Sequence, residues 1–354
     1  MTIRSYPCAI FLTLIILTQV FSFICYPISL NGEDFKDSFI TVIDSLERPI
    51  TVPKNPQRIV PLTTSATELI RLLGAMDRVV GTTSIVRARN DLIPDISQLP
   101  DVGRGFTPNL EVLVRLAPDL VIAWSDYPPP EVEKQLKTLG INFLRLDLML
   151  PGDFYRETEE LALILGGDAP QRAESFLGWY RDLETSLRES ITKSSRKKPT
   201  VLAEESGMGH IAGATSGAYG VILHAQGEYL APFIPGRAGD VNVEWIFQTN
   251  PEYFIKVYRF TGGLREDSPR YMEDMRREVI TRDGWENMRA VKEEKVRVLD
   301  NDICGGPRNM IGIYTVANWF YPDLVSSGKA LRIKTEYFQR FQEIGVFNDP
   351  KEQK

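Results

Sequence analysis

Apolar positions along the chain fall into short blocks that alternate between two periods. Phe39 to Ile43 and Ile50 to Val52 are apolar or alternate, with Asp44 to Pro49 between them, and this pattern predicts a hairpin. Pro53 and Pro56 bracket a loop before the strand that opens at Arg58-Ile-Val60. Thr63-Thr64-Ser65 then stand before Glu68 to Leu73, and Gly74 follows; hydroxyls before a helical run and glycine after it are start and stop signals. Strand patterns follow at Val79 to Thr82, Leu120 to Trp124 and Ile141 to Asp147, with a helix over Pro130 to Gly140. Strands alternating with helices predict parallel sheets covered on both faces.

A longer helical pattern begins at Asp168 or Ala169 and runs to about Ser190. Ala173, Phe176, Leu177, Tyr180, Leu183, Leu187 and Ile191 keep the three-or-four spacing of one helix face. At 1.5 Å rise per residue it makes a rod of about 30 Å, and no Gly/Ser-rich linker joins the two halves of the chain. The strand pattern restarts at Thr200 to Ala203 and leads into a glycine-rich stretch, Ser206 to Gly227. A helix over Glu244 to Thr249, strands over Pro251 to Val257 and Lys295 to Leu299, and closing helices over Met310 to Phe320 and Tyr337 to Ile344 complete the reading.

One segment occurs twice. Asn109-Leu-Glu111 leads through an apolar run to Pro118-Asp119-Leu-Val-Ile122, and Asn242-Val-Glu244 leads likewise to Pro251-Glu252-Tyr-Phe-Ile255. Each copy predicts a short helix, stopped before a Pro-acid turn, that feeds a buried strand. Internal similarity across more than a hundred residues predicts two lobes of like architecture.

Composition narrows the function. The 354 residues suffice for a large core and predict two domains. With a net charge of −6 and no basic run longer than Arg196-Lys197-Lys198, nucleic-acid binding has no electrostatic footprint. Arg4 is the one charge in the first 32 residues, and Ala9 to Ile28 is nearly unbroken apolar sequence. That pattern predicts export, by cleaved signal, uncleaved anchor or lipidation at Cys25, although Ser22-Phe23-Ile24 is bulkier than lipidation sites usually carry. Cys304 is the single cysteine of the body, which excludes an internal disulfide there and is read as a packed small residue.

Motifs for catalysis are weak. Gly207-Met-Gly209-His-Ile-Ala-Gly213 misses the dinucleotide spacing by one residue, and no P-loop occurs. Gly213-Ala-Thr-Ser-Gly217 puts Thr215 where a nucleophile elbow needs serine. Of the two histidines, His224 lies in an apolar run and reads as a satisfied core residue. No histidine or cysteine pair has metal-ligand spacing. Glu204-Glu205 offers paired acids, and the reading for such a pair at a strand end is that both are solvated.

What remains is a set of aromatic and cationic residues where strands should end, the place where open α/β sheets collect ligands. In the first half these are Trp124 and Tyr127, with Arg104 and Phe106 ahead of the first repeat. In the second they are His210, Tyr258, Arg259 and Arg308. Aromatic rings can cover the flat apolar part of a ligand, and arginine offers fixed donors to anionic oxygens. Glu111 and Glu244 each fall in a first helical turn, where a carboxylate offsets the helix dipole by about 0.3–1 kcal/mol; that role alone does not require the same offset in both lobes.

From about Phe39 to Ile344 the chain resembles the substrate-binding proteins of ABC importers, in the helical-backbone class that handles vitamin B12, ferric siderophores and haem. The resemblance rests on the order of several short motifs: Val42 to Pro53 leading to Arg58-Ile-Val60, Thr67-Glu68-Leu69, Pro118 to Ile122, Gly306-Pro307-Arg308 and Tyr321-Pro322-Asp323. It implies an α/β fold of two Rossmann-like lobes with parallel sheets joined by a long rigid helix, little lobe motion, and a ligand held between the lobes. The corresponding boundaries are an export segment at 1–30, a first lobe at 37–152, a spine region at 153–198, a second lobe at 199–307 and closing helices at 308–354. It also implies a monomeric, non-enzymatic receptor, with no cofactor or bound metal ion of its own, that delivers a metal chelate to a permease and its ATPase subunits. Glu111 and Glu244 fall where members of this group present one glutamate per lobe to permease arginines. Relatives with this closing sequence also bind molybdate or tungstate, so a small oxyanion is the alternative ligand.

Overall fold

The structure, a computed structural model, describes residues 38–258 and 268–344. Strands β1 (Phe39–Ile43) and β2 (Pro49–Pro53) form the expected hairpin. Its turn is closed by the buried Asp44 carboxylate, which accepts from the Leu46 and Arg48 amides at 2.9 and 3.0 Å and from the Arg48 guanidinium at 2.6 Å.

The first sheet has the order β3 (Ile59–Pro61), β4 (Leu120–Ala123), β5 (Asn142–Arg145), all parallel. Between β3 and β4 lie α1 (Thr64–Leu72), a one-turn α2 (Ser84–Arg87) and α3 (Leu110–Leu116). Thr63 caps α1 by accepting from the Ala66 amide, and Gly74 at φ 79° ends the helical segment, as the start and stop residues predicted. The strand expected at Val79 to Thr82 is a correction: this segment makes only single bridges, Ile59 to Val79 and Thr82 to Asp101. It touches the edge of β3 and turns away, so no ladder forms. Helix α4 (Pro130–Thr138) crosses from β4 to β5.

Helices α5 (Pro151–Leu165) and α6 (Ala169–Lys193) lead to the second sheet. The 25 residues of α6 make a rod of about 37 Å. Its inward stripe is the predicted one: Phe176, Tyr180, Leu187 and Ile191 are buried. Tyr180 packs 5.2 Å from Phe154 of α5 and Phe176 lies 5.2 Å from Phe341, so the rod is clamped on two sides by aromatic rings. Each such side chain contributes roughly 1.5–3 kcal/mol by burial, and polar residues cover the opposite face.

In the second sheet, β6 (Thr200–Glu204), β10 (Tyr253–Tyr258) and β11 (Val296–Asp300) are parallel neighbours, and β8 (Glu228–Tyr229) also pairs with β6. The sheet then departs from all-parallel order through the antiparallel pair β7 (His210–Ala212) and β9 (Ala238–Asp240). Helices α7 (Gly217–His224), α8 (Val243–Thr249), α9 (Ser268–Ile280) and α10 (Arg289–Lys292) surround it. Helices α11 (Asn309–Phe320) and α12 (Ser327–Arg340) close the chain. Helix α12 begins ten residues before the expected Tyr337. Its opening Ser327-Gly328-Lys329 carries no apolar signal, while Ile333, Tyr337 and Phe338 form its buried stripe.

Two further readings change. Glu204 is not solvated: it is fully buried and accepts from Lys256 at 2.7 Å and from both terminal nitrogens of Arg282 at 2.7 and 3.0 Å. Burial pushes its carboxyl pKa up, but the hydrogen bonds from Arg282 and Lys256 outweigh this and hold it below the usual carboxylate range. His224 has a partner, Glu184 of α6 at 2.7 Å from Nδ1, but it is half-buried and not the core residue its apolar run predicts. Cys304 is buried, in keeping with a packing role.

Candidate functional site

The carboxyl ends of β3, β4, β5 and β11 converge on a cavity of about 430 Å³. One wall comes from the first sheet. Phe106 and Tyr127 stack with centroids 4.0 Å apart, and Trp124 meets Tyr127 edge-on at 5.0 Å. Phe106 is 60% exposed, an unusual setting for phenylalanine that leaves its ring available to a ligand. Gly105 permits the close approach behind this wall, since a Cβ there would stand 2.7 Å from the Tyr127 ring.

The loop that carries Trp124 and Tyr127 is held from beneath. Arg145, at the end of β5 and 1% exposed, donates to the carbonyls of Trp124, Ser125 and Pro128 at 2.8 to 3.0 Å and binds Glu133 at 2.9 Å. Asp147 accepts from the Ser125 amide and hydroxyl at 2.7 and 2.6 Å. Three loop residues, Trp124, Ser125 and Pro128, are thereby held by Arg145 at the end of β5 and Asp147 just beyond it. Burial pushes the Glu133 carboxyl up, while Lys137 and Arg145 pull it below the usual range, so it stays ionised beneath the guanidinium.

The opposite wall holds Asn301, Asp302, Gly305 and Arg308, with Arg237 from the segment before β9. The Arg237 guanidinium lies 4.4 Å over the Trp124 ring, binds Asp126 and stands 3.7 Å from Asp147. It therefore spans from the second sheet to the first. Arg89, after α2, binds Asp302 at 2.6 Å and Asp91 at 3.0 Å, a second such crossing.

Arg308 lies on the wall but is 5% exposed, and it donates to Glu68 at 2.8 Å. Glu68 also accepts from the Tyr337 hydroxyl at 2.7 Å, and Gln342 binds Tyr337 at 2.7 Å, which makes a buried polar chain from α1 to α12. Burial lowers the Arg308 pKa, but the charges of Glu68 and Asp302 raise it further, so it remains a cation.

Of the predicted ligand residues, the structure brings Phe106, Trp124, Tyr127 and Arg308 to this cavity. Three do not line it. Arg104 is exposed on the loop outside Phe106. His210 sits on β7 with Nδ1 2.7 Å from Asp240 of β9, so its register points it to the hairpin rather than to the cavity. Tyr258, the last residue of β10, is 3% exposed and packs 5.5 Å from Tyr271. Arg259 lies outside the described residues, as does the export segment.

Pattern reading missed Arg89, Arg145 and Arg237. Arg145 had a usable signal, a charged residue within an apolar strand pattern, after Phe143 and Leu144. Arg237 had none beyond a Pro-Gly turn before it.

Both copies of the repeat have the expected geometry. The Asn109 side chain accepts from the Val112 amide at 3.1 Å and that of Asn242 from the Glu244 amide at 2.8 Å. Both helices have seven residues and end on a left-handed residue, Ala117 or Asn250, each at φ 43°. Glu111 and Glu244 are exposed in the first turn, and neither carboxylate has a partner among the described residues.

Residues 59–303 match the family model for periplasmic binding proteins. The chain belongs to that family. It is 27% identical over 296 residues to the ABC transporter substrate-binding lipoprotein YvrC of Bacillus subtilis, covering 80% of this chain and 86% of YvrC. The molybdate-binding protein MolA of Haemophilus influenzae is 22% identical over 349 residues, 91% of each chain. Among solved structures, a periplasmic heme binding protein from Pseudomonas aeruginosa superposes with a TM-score of 0.61 at 26% identity, over 76% of this chain and 94% of that one. Membership of the family accounts for the two α/β lobes joined through helices and for a substrate-binding role in ABC transport. Among the described residues, no helix is long and apolar enough to cross a membrane.

Proposed function

We propose that this protein is an exported, non-enzymatic receptor that captures a metal chelate in the cavity between its lobes and delivers it to an ABC permease with its ATPase subunits. The observation that carries the reading is the aromatic wall. Phe106, Tyr127 and Trp124 present apolar surface to a cavity of about 430 Å³, a size suited to an organic ligand. The five-atom molybdate ion would leave most of that surface unused. The Trp124 Nε1–H is buried without an acceptor among the described residues, which leaves one donor to be satisfied when a ligand enters.

The ligands named for relatives divide in the same way, molybdate for one and heme for another. Arginines favour the oxyanion only when their charge is uncommitted. Here Arg89, Arg237 and Arg308 are all paired with carboxylates of the chain. Two unit charges 4 Å apart interact by about 4 kcal/mol at an effective dielectric constant near 20, so a dianion must overcome several existing pairs before gaining its own.

Glu111 and Glu244 are the docking residues of this reading, one per lobe, free to receive permease arginines in bidentate pairs. Export through the apolar segment before residue 31 and function as a monomer belong to the same proposal. Calorimetric titration with cobalamin, haem, ferric siderophores, molybdate and tungstate tests it. Saturable binding of at least one chelate is expected. Binding confined to the two oxyanions transfers the protein to the alternative, and no binding at all removes the receptor reading.

A further inference from the structure

The charges around the cavity carry the reading one step further, to the charge of the ligand. Arg89 binds Asp91 at 3.0 Å and Asp302 at 2.6 Å. Arg308 binds Glu68 at 2.8 Å and lies 4.0 Å from Asp302. Arg237 binds Asp126 and stands 3.7 Å from Asp147. Each guanidinium facing the cavity thus meets two carboxylates, and Asp302 is shared by two of them. The three guanidiniums meet five carboxylates in all.

Two of those anions, Asp126 and Asp302, are themselves on the cavity wall. Behind them, burial raises the Asp300 carboxyl above the usual range and the negative charge of Asp302 adds to this, while Arg308 and Arg89 pull it back in part.

Resting on the proposal that the cavity holds a chelate, we infer that it selects a chelate that is neutral or carries net positive charge and discriminates against anionic ones. The physical reason is competition. An anion that seeks Arg89 or Arg308 must displace a carboxylate from a nearly desolvated pair, and breaking such a buried pair is costly. The same anion is repelled by Asp126 and Asp302. A ligand with an ammonium or amide N–H meets the opposite situation. A carboxylate has about four lone-pair positions, and those of Asp302 beyond its bond to Arg89 can accept from such a donor without breaking an existing pair. Specificity here comes from repulsion of the wrong charge as much as from attraction of the right one.

The full chain is titrated calorimetrically with five probes that differ in charge. Two are ferric trihydroxamates, a linear one with a free ammonium group (net positive) and a neutral cyclic one. Three are anionic: haem with its two propionates, a ferric tris-catecholate, and molybdate. At least one trihydroxamate is expected to bind at least tenfold more tightly than any anionic probe. Asp302→Asn and Asp126→Asn, which release their arginines, are each expected to narrow that ratio tenfold or more. Asp126 is 43% exposed, so its variant provides the readout should Asp302→Asn unfold the chain.

If haem or the tris-catecholate binds the wild type more tightly, or if the ratio stays fixed in the folded variants, the charge inference falls and the chelate reading stands. If only molybdate binds, or if neither the five probes nor cobalamin binds, both fall.

Discussion

Arg145 shows how one side chain shapes the site without facing the ligand. Its guanidinium joins Glu133 to three carbonyls of the loop that holds Trp124 and Tyr127. Replacing it by methionine keeps much of the volume but leaves those carbonyls without their donor and Glu133 with only the more exposed Lys137 and Arg48, and removing one partner of a buried pair costs about 3–5 kcal/mol. Chemical denaturation of Arg145→Met should show a loss of that order, with ligand affinity falling in the fraction that folds. Glu157 is a second case. It is fully buried, accepts from the Ser45 hydroxyl at 2.5 Å and the Leu148 amide at 2.6 Å, and burial is the largest cause of a pKa raised to about 7. Because the folded state holds this proton more tightly than the unfolded chain, the stability it confers is complete below about pH 4.5 and is lost as pH rises through about 7. At about 1.4 kcal/mol per pH unit, the loss amounts to roughly 3 kcal/mol. Glu157→Gln should remove this slope, and a comparison of urea midpoints between pH 4.5 and 8 for the two proteins measures it. At this scale the sequence was least legible. Trp124, Tyr127 and Phe106 could be found because strand ends attract ligands, whereas Arg237 and Arg89 matter through partners far away in the chain, Asp126 and Asp302, which no local pattern reveals.

Among the elements, the two copies of α3 and α8 carry the clearest division between scaffold and surface. The asparagine cap, the left-handed terminus and the proline after it all serve to launch β4 or β10 into a buried sheet. The exposed glutamate of the first turn serves none of these. Reversing Glu111 and Glu244 to lysine together should abolish permease-dependent uptake while leaving ligand affinity in the purified protein within a factor of two or so. A loss of affinity would assign these residues to the ligand instead. A helix-dipole role alone is worth about 0.3–1 kcal/mol at each position, so the thermal midpoint should fall only modestly. Both repeats, the hairpin and α6 were legible because each combines strong periodicity with a turn or cap signal at its end. The strand expected at Val79 to Thr82 failed because an apolar run cannot say whether a partner strand is alongside, and the start of α12 was hidden by its polar opening, Ser327-Gly328-Lys329. The antiparallel pairing of β7 with β9 likewise depends on a return of the chain that a βα rhythm does not predict.

At the scale of the whole molecule, the fold was readable from the order of its motifs, and the family match confirms that reading. The placement of the cavity at the carboxyl ends of strands from both sheets follows from that fold. What the fold leaves open is the ligand, because related proteins named for molybdate and for heme share the same architecture. Two crossings, Arg237 to Asp126 and Arg89 to Asp302, and the buried chain from Glu68 to Gln342 tie the parts that enclose the cavity. The central claim is that a chelate sits against the aromatic wall, and Trp124 is its natural reporter among the chain's five tryptophans. The decisive measurement is the quenching of tryptophan fluorescence by the tightest-binding chelate in the wild type and in Trp124→Phe, with affinity followed in parallel by calorimetry. The account predicts that the variant still binds, within about tenfold in affinity, but loses most of the quenching. Undiminished quenching in Trp124→Phe would place the ligand elsewhere and contradict it.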